Sequence, residues 1–234
     1  MFAAAFTGLK LTAEAKRDIV IVIDPGHGGT NMGARHNGVI EKEATMQVAV
    51  AMKEELEKYD GVVVYLTRTG DESLELIERA QFAWDVKADI LLSLHFNMSE
   101  LHDLHGSEMW ISSQGALRTE ANRFAKIEQM LLSEYGIETR GCFTRLNDEG
   151  SDYYGVIRES AKFNIPAVIV EHCYLDRPEE YQFYDTDAAL DRLGRIDATA
   201  VAWHIIYLPK NWVWIIPDII FLILRCRKAF LQRM

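Results

Sequence analysis

The sequence predicts a single α/β domain in which a mostly parallel, twisted sheet is flanked by helices on both faces. Three observations lead to this prediction: a continuous β-branched run at 18–24, two further apolar runs at 61–67 and 89–95, and amphipathic segments between them. Strands that alternate with helices are typical of βαβ units. The chain has 234 residues, 49% of them hydrophobic and 26% charged, which suits one domain with a substantial core.

In chain order, the first half is predicted to contain a strand at 18–24, a glycine-rich loop at 25–38, a helix at 41–59, a strand at 61–67 and a helix at 73–87. The run at 18–24 lacks polar alternation, which is typical of a strand buried on both faces. The helix at 41–59 places Ala44 and Val48 on one face. Ser73 is an N-cap signal for the next helix, without the acid three residues later that would complete a capping box.

The second half is predicted to contain strands at 89–95 and 106–111, a helix at 115–135, strands at 155–158 and 167–171, and a helix at 187–207. The Ala-Val-Ile-Val run before Glu171 predicts a buried strand. We expect one domain over 18–208, preceded by an extension at 1–17 and followed by a tail at 209–234.

Composition excludes several classes of protein. The chain carries 25 Lys and Arg against 35 Asp and Glu, and a net charge of −10 argues against nucleic acid as a partner. Its three cysteines, Cys142, Cys173 and Cys226, are odd in number and far apart. They form neither a disulfide framework nor a metal knuckle, so we expect single buried thiols.

The two ends of the chain have distinct compositions. Residues 1–8 lack the basic start of a secretory signal, so we expect no signal peptide, although a trimmed chain would look the same. The tail combines an apolar stretch at 212–224 with four basic residues after it. That stretch is shorter than the roughly 20 residues needed to span a bilayer. Packing on the domain, or continuation into a missing region, is favoured over weak contact with a membrane or a partner.

Four polar residues are predicted to meet at one edge of the sheet. In open α/β sheets, ligands bind beyond the carboxyl ends of the strands. His27 follows the strand that ends at Asp24, and His95 and Glu171 each end a predicted strand. Glu41 opens the helix after the glycine-rich loop, which returns it to the same edge. We therefore expect two histidines and two glutamates to converge there.

Two histidines and one glutamate suit a single Zn²⁺ ion with an open fourth position. Such a metal lowers the pKa of its water and polarises a carbonyl oxygen. A further carboxylate can take the water's proton and pass it to a leaving nitrogen. On this hypothesis His27, Glu41 and His95 are the ligands, and Glu171 is the catalytic acid and base.

Each of these residues also has a simpler interpretation. A lone histidine at a strand end is usually only hydrogen-bonded, Glu41 would suit any helix N-terminus, and Glu171 would form a surface ion pair. The coincidence of all four at one edge favours the metal site. A phosphate-binding loop is rejected, because no Gly-Lys-Ser/Thr follows the glycines and Asn31 breaks a GxGxxG pattern.

A series of short motifs occurs in a recognisable order: IDPGHGG at 23–29, Gly33-Ala34, Glu41, LTR at 66–68, Glu78-Arg79, LSLHFN at 92–97 and PAVIVE at 166–171. Together they resemble the catalytic domain of zinc-dependent N-acetylmuramoyl-L-alanine amidases of the amidase-3 type, over about residues 19–207. The resemblance implies one zinc ion on His27, Glu41 and His95, with Glu171 as acid and base. It also implies hydrolysis of the amide that joins N-acetylmuramic acid to L-alanine of the stem peptide.

The chain departs from the family's usual pattern after Glu171, where the family has a small or apolar residue and then Gly-Phe. His172 stands there instead, and we expect it to face the opposite side of the strand as a neighbour of the site rather than a ligand. His102 and His105 lie three apart and are expected in a solvated loop near the cleft, in preference to a second metal site.

Three further residues are candidates for supporting the site. Asp24 and Asn97 are expected to contact the metal ligands or the substrate. Arg68 is expected to form a structural ion pair or to lie at the edge of the site. All three belong to the motifs that carry the resemblance.

The leading hypothesis is a peptidoglycan hydrolase that cuts the muramoyl–L-alanine amide with zinc-activated water. The alternatives are a zinc carboxypeptidase acting on the stem peptide, and a catalytically silent cell-wall-binding or regulatory module. We expect the partner to be polymeric peptidoglycan, the protein to be a monomer, and its place of action to be the cell wall or the extracellular space.

Overall fold

A computed structural model describes residues 17–207. Its helices are α1 (Glu41–Leu56), α2 (Leu76–Asp85), α3 (Gly115–Tyr135), α4 (Gly155–Lys162) and α5 (Asp187–Val201), with a 3₁₀ helix at Pro178–Phe183 and a π-helix at Ala202–Tyr207. Its strands are β1 (Ile19–Pro25), β2 (Arg35–His36), β3 (Val39–Ile40), β4 (Val62–Leu66), β5 (Ile90–Asn97), β6 (Ser107–Ile111), β7 (Thr139–Phe143) and β8 (Ala167–Tyr174). The expected extension and the expected tail lie, but for Arg17, outside these residues.

The six longer strands form one sheet in the order β4-β1-β5-β8-β6-β7. Strands β4, β1, β5 and β8 are parallel, whereas β6 pairs antiparallel with β8 and parallel with β7. The carboxyl ends of β1, β5 and β8 therefore lie side by side at the middle of one edge. The predicted fold class, a mostly parallel sheet between helices, is confirmed.

The two faces of the sheet are covered unequally. Helices α1, α3 and α5 pack on one face around the larger apolar core. Short helices α2 and α4 cover the other face, over a smaller cluster that includes Val22, Leu91 and Ile169. Because side chains alternate along a strand, Asp24, His95 and Glu171 lie on this second, less covered face.

Several predicted element boundaries were wrong. Residues 155–158 begin helix α4 instead of a strand, because Val156, Ile157 and Ser160 form a buried helical face that a four-residue window does not reveal. The edge strand β7 was missed because its sequence, TRGCF, has no apolar run. The hairpin of β2 and β3 was likewise missed inside the glycine-rich region.

Helix α2 begins at Leu76, three residues after the predicted cap. Glu75 is the N-cap, and the side chain of Glu78 accepts its backbone N–H at 2.8 Å, which completes a capping box. The Ser73 hydroxyl instead contacts the carbonyl of Gly28. Strand β8 runs three residues past Glu171, to Tyr174.

None of the helices within residues 17–207 is both long enough and apolar enough to cross a membrane.

Helices α1 and α5 are in close contact at Gly194. A Cβ added there would lie 2.4 Å from the carbonyl oxygen of Val48 and 2.7 Å from the backbone nitrogen of Met52. The contact therefore requires glycine inside a helix, where alanine would otherwise be favoured by about 1 kcal/mol.

We expect Gly194→Ala to lower the free energy of unfolding by about 1–3 kcal/mol, because the two helices would have to separate. Chemical denaturation of the full chain measures this. Ser133→Ala, on the exposed surface of α3, is the matched control and should change stability by less than about 0.5 kcal/mol. Stabilisation by Gly194→Ala would show that the helices are not in close contact.

Candidate metal centre

The side chains of His27, Glu41 and His95 meet beyond the carboxyl ends of β1 and β5. One ligand atom from each lies within 4.8 Å of the others. The Oε1 atom of Glu41 is the meeting point, 2.9 Å from His27 Nε2 and 3.0 Å from His95 Nδ1. The structure thus brings together the three predicted ligands, which are 68 positions apart at most in the sequence.

His27 is held by its backbone and by its second ring nitrogen. Its φ of 63° lies in the left-handed region, which non-glycine residues rarely adopt, and its side chain meets Glu41 at the start of α1. Its Nδ1 lies 3.0 Å from Asn31 Oδ1, an oxygen that also accepts the backbone N–H of Gly33. With Nδ1 protonated, the lone pair of Nε2 faces Glu41. Asn31 was not among the predicted supporting residues.

His95 is oriented by a chain of hydrogen bonds that ends on β1. Its Nε2 lies 3.2 Å from the hydroxyl of Ser93, which donates to Asp24 Oδ2 at 2.7 Å. The buried Asp24 also pairs with Arg79 at 2.7 Å. Asp24 therefore reaches the predicted ligand through Ser93, a residue that the sequence analysis missed although it stands two positions before His95 on the same face of the strand.

Glu41 is fixed at the first residue of α1 by two backbone donors. Oε1 accepts the N–H of Phe96 at 3.0 Å, and Oε2 accepts the N–H of Ala34 at 2.6 Å. Burial would raise the pKa of this carboxyl, but the hydrogen bonds to His27 and His95 outweigh it and hold the pKa well below its usual range. Glu41 is therefore an anion at neutral pH.

The same carboxylate changes the titration of His27. Burial opposes protonation of this imidazole, but the hydrogen bond and the charge of Glu41 outweigh burial and raise its pKa. A metal ion at this centre would compete with a proton for His27, because metal ligands must be deprotonated.

Two glycines leave the space that the centre needs. A Cβ at Gly26 would lie 2.4 Å from the His95 ring, and one at Gly33 would lie 2.4 Å from Glu41 Oε2. Gly33 also has a φ of +67°, which favours glycine.

Arg68 supports the loop and does not contact the three converging side chains. Its guanidinium is buried and donates to the carbonyls of Pro25, Gly26 and Lys42. It thereby ties the end of β1 to the first turn of α1.

Glu171 lies in register between His95 on β5 and Glu108 on β6. Its Oε2 atom is shielded from solvent and has no hydrogen-bond partner among the described residues. Burial, followed by the charges of Glu41 and Glu108, raises its pKa well above the usual value. Glu108 was not predicted from the sequence, yet its negative charge helps to raise the pKa of Glu171.

Asn97 lies at the end of β5 and contacts neither histidine. Its amide nitrogen is 3.5 Å from Glu108 Oε2, and its backbone carbonyl accepts the N–H of Leu175. Asn97 is therefore a neighbour of Glu108, and its expected contact with the substrate stays a prediction.

His172 faces the larger core, on the side of the sheet opposite Glu171, as predicted. The pairing of β5 with β8 shifts register between His95 and Asn97, and His172 Nδ1 lies 3.1 Å from the carbonyl oxygen of His95 at that irregularity. Its Nε2 lies 3.0 Å from Asp197 Oδ2 on α5. Strand irregularities of this kind redirect side chains next to active sites.

A second carboxyl, that of Glu128 on α3, is buried beside Asp197, and burial and the charge of Asp197 raise its pKa. Burial opposes protonation of His172, but Asp197 outweighs it and raises the pKa of the imidazole. The three groups form a fully buried polar network behind His95, in which His172 pairs with Asp197 and neither carboxyl oxygen of Glu128 has a hydrogen-bond partner among the described residues.

The two histidines of the predicted loop, His102 and His105, do not form a joint site. His102 pairs with Asp176 at 2.7 Å, and His105 pairs with Glu138 at 3.0 Å. Within residues 17–207, His27, Glu41 and His95 form the only group of three or more candidate metal ligands. Two imidazole nitrogens and a carboxylate oxygen are a donor set typical of catalytic zinc.

The fold and the converging side chains define an α/β protein with a candidate metal centre of the kind found in hydrolases. A family model described as N-acetylmuramoyl-L-alanine amidase matches residues 21–202. The chain belongs to this family, whose members are peptidoglycan hydrolases.

Curated relatives agree with this assignment. An N-acetylmuramoyl-L-alanine amidase of Bacillus licheniformis is 31% identical over 79% of the chain and 68% of the relative. A sporulation-specific N-acetylmuramoyl-L-alanine amidase of Bacillus subtilis is 31% identical over 76% of the chain and 64% of the relative. The chain thus spans about two thirds of the length of these relatives.

Solved structures are also similar. The catalytic domain of an N-acetylmuramoyl-L-alanine amidase from Bacillus (Paenibacillus) polymyxa superposes with a TM-score of 0.68 at 28% identity, over 80% of this chain and 97% of that one. An N-acetylmuramoyl-L-alanine amidase from Clostridium difficile 630 gives a TM-score of 0.72 at 26% identity, over 83% and 100% of the two chains.

We expect His172→Leu to lower the free energy of unfolding by about 3–5 kcal/mol, because the buried Asp197 would lose its basic partner and keep only another acid, Glu128, beside it. Denaturant unfolding of the metal-free protein measures this loss. His105→Leu, which removes a pair with the exposed Glu138, is the matched control and should cost about 0–1 kcal/mol. Equal losses for the two variants would mean that the buried network behind His95 contributes no more to the free energy of unfolding than an exposed ion pair does.

Proposed function

We propose that this chain hydrolyses the amide between N-acetylmuramic acid and L-alanine of the peptidoglycan stem peptide. In this proposal His27, Glu41 and His95 hold one Zn²⁺ ion, and Glu171 is the catalytic acid and base. The observation that carries the proposal is the meeting of three candidate ligands within 4.8 Å. The unpartnered carboxylate oxygen of Glu171 supports it.

The chain's own residues would prepare the ligands before the ion arrives. Asn31 holds the Nδ1–H of His27, and Ser93 accepts the Nε2–H of His95, so that the remaining ring nitrogens face Glu41. Such supporting hydrogen bonds fix the tautomer and raise the basicity of a ligand. When bound, zinc would lower the pKa of a water molecule and polarise the substrate carbonyl.

Glu171 would carry the proton through the reaction. As a carboxylate it accepts a proton from the attacking water while the new C–O bond forms. As a carboxylic acid it then donates that proton to the amide nitrogen while the C–N bond breaks, which releases the amine of L-alanine. A raised pKa suits both steps, because a catalytic group works best when its pKa is close to the operating pH.

Peptidoglycan is a polymer, so the metal centre has to be reachable from solvent. The centre lies at the carboxyl edge of the sheet, on the face with the shorter helices, and the side chains of His27 and His95 are 20% and 19% exposed there. The place of action in this proposal is the cell wall. The expectation of a monomer remains a prediction.

We expect Glu171→Gln to keep zinc binding and to lose amidase activity by about 10²–10⁴-fold, because the variant cannot accept the proton of water. Metal analysis and mass spectrometry of digested muropeptides measure the two properties. Intact stem peptides released from glycan support the proposal, and shortened stems still attached to glycan would indicate a carboxypeptidase. Undiminished hydrolysis by the zinc-loaded variant would contradict the role of Glu171.

We expect Glu108→Gln to move the acidic limb of the pH–rate profile to lower pH. The negative charge of Glu108 raises the pKa of Glu171, so a neutral glutamine lets Glu171 lose its proton at lower pH. The measurement is kcat against pH for hydrolysis of soluble muropeptides. Glu138→Gln, at an exposed site, is the control, and an unmoved limb or a shift to higher pH would refute the coupling.

A further inference from the structure

A group of aromatic side chains next to Glu171 has no part in the proposed chemistry. Trp110 and Phe143 stand opposite each other on β6 and β7, with their ring centroids 5.2 Å apart. Tyr154 lies 4.8 Å from Trp110, and Tyr153 meets Tyr154 edge-on at 5.2 Å. We call these four residues the aromatic ledge.

Two of the four residues of the aromatic ledge are exposed, and Trp110 and Tyr154 are half-buried. Phe143 is 37% exposed and Tyr153 is 45% exposed, and the neighbouring Leu146 is 53% exposed. Large rings that remain open to solvent as a contiguous group, beside a functional site, mark a binding surface more often than single exposed side chains do.

The ledge is also held in place. The buried carboxylate of Asp152 accepts the Ser112 hydroxyl at 2.6 Å and the Ser113 N–H at 2.8 Å. The guanidinium carbon of Arg145 lies 3.7 Å above the ring of Tyr153, whose N–H donates to the Arg145 carbonyl at 2.8 Å. A surface arranged in advance loses little entropy when a ligand binds.

The ledge is continuous with the catalytic side of the sheet. The indole N–H of Trp110 donates to Glu108 Oε2 at 3.2 Å, and Glu108 is the cross-strand neighbour of Glu171. Burial, followed by the charge of Glu171, raises the pKa of Tyr154 to about 12. A ligand on the ledge would therefore lie on the same face of the sheet as Glu171, one to two strands further toward β7.

The chemistry of the rings selects between the two halves of the substrate. A pyranose ring presents an apolar face of C–H groups that packs on aromatic rings, and its hydroxyl groups can bond to the phenol and guanidinium groups at the rim. The stem peptide instead begins with alanine and continues with backbone amides and charged groups. The sugar is the better match for a fixed aromatic surface.

We propose that the aromatic ledge binds a pyranose ring of the glycan strand, and so holds the muramoyl side of the scissile amide next to Glu171. This inference rests on the proposed function for its substrate class. In this arrangement the glycan extends from Glu171 on β8 across the sheet toward β7, and the stem peptide leaves the scissile amide in the other direction.

The test uses the zinc-loaded full chain and peptide-free glycan strands of alternating N-acetylglucosamine and N-acetylmuramic acid. Calorimetry should show binding, and the double variant Phe143→Ala/Tyr153→Ala should weaken it about five- to tenfold, as expected for the loss of ring contacts. The control is Tyr65→Ala/Trp84→Ala, which removes two exposed rings on β4 and α2 and should leave binding unchanged. Circular dichroism checks that both variants fold.

Three results would overturn the inference: no glycan binding by the unmodified protein, equal binding by the ledge variant, or a ledge variant that loses affinity for free stem peptide instead. The assay requires no turnover, so it separates this inference from the proposed reaction. Glycan binding on the ledge without amidase activity would refute only the proposed reaction. Amidase activity together with unaltered glycan binding in the ledge variant would refute only the proposal that the ledge binds glycan.

Discussion

One carboxylate oxygen, Glu41 Oε1, is the point on which the candidate centre depends. It contacts both imidazoles and also accepts the backbone N–H of Phe96, so it joins the loop after β1, the start of α1 and the end of β5. These three segments can meet only because Gly26 and Gly33 leave room for the His95 ring and the Glu41 carboxylate. An anion between two imidazoles is a donor set that suits a divalent cation, which makes this point a candidate metal centre.

The two faces of the sheet differ in how they are packed around this meeting point. The face under α1, α3 and α5 is fully packed and contains the buried network of His172, Asp197 and Glu128, which contacts the carbonyl of His95 from behind. The face with α2 and α4 carries Glu171, whose Oε2 atom is shielded from solvent, and at the carboxyl ends of its strands the side chains of His27 and His95 are 20% and 19% exposed. Rigid support on one side and access on the other are what a hydrolytic site on a polymer needs.

The sequence predicted the alternating strands and the edge where the site lies, because apolar runs and periodicity are local signals and the rule of carboxyl ends converts them into positions. It could not predict Ser93, Asn31 or Glu108, because a short polar residue acquires its role only from a neighbour brought close by the fold. Strand β7 was not predicted, and the start of helix α4 was predicted as a strand, for a related reason. An edge strand with exposed residues and a helix of two turns carry too little pattern to be recognised.

X-ray absorption spectroscopy of the zinc-loaded protein would show whether two imidazoles and one carboxylate hold a single zinc ion. We expect one ion per chain, with two imidazole nitrogens at about 2.0–2.1 Å, oxygen in the remaining positions and no sulfur. One imidazole signal should disappear in His27→Ala. A sulfur ligand, or two imidazole signals that persist in that variant, would contradict this expectation.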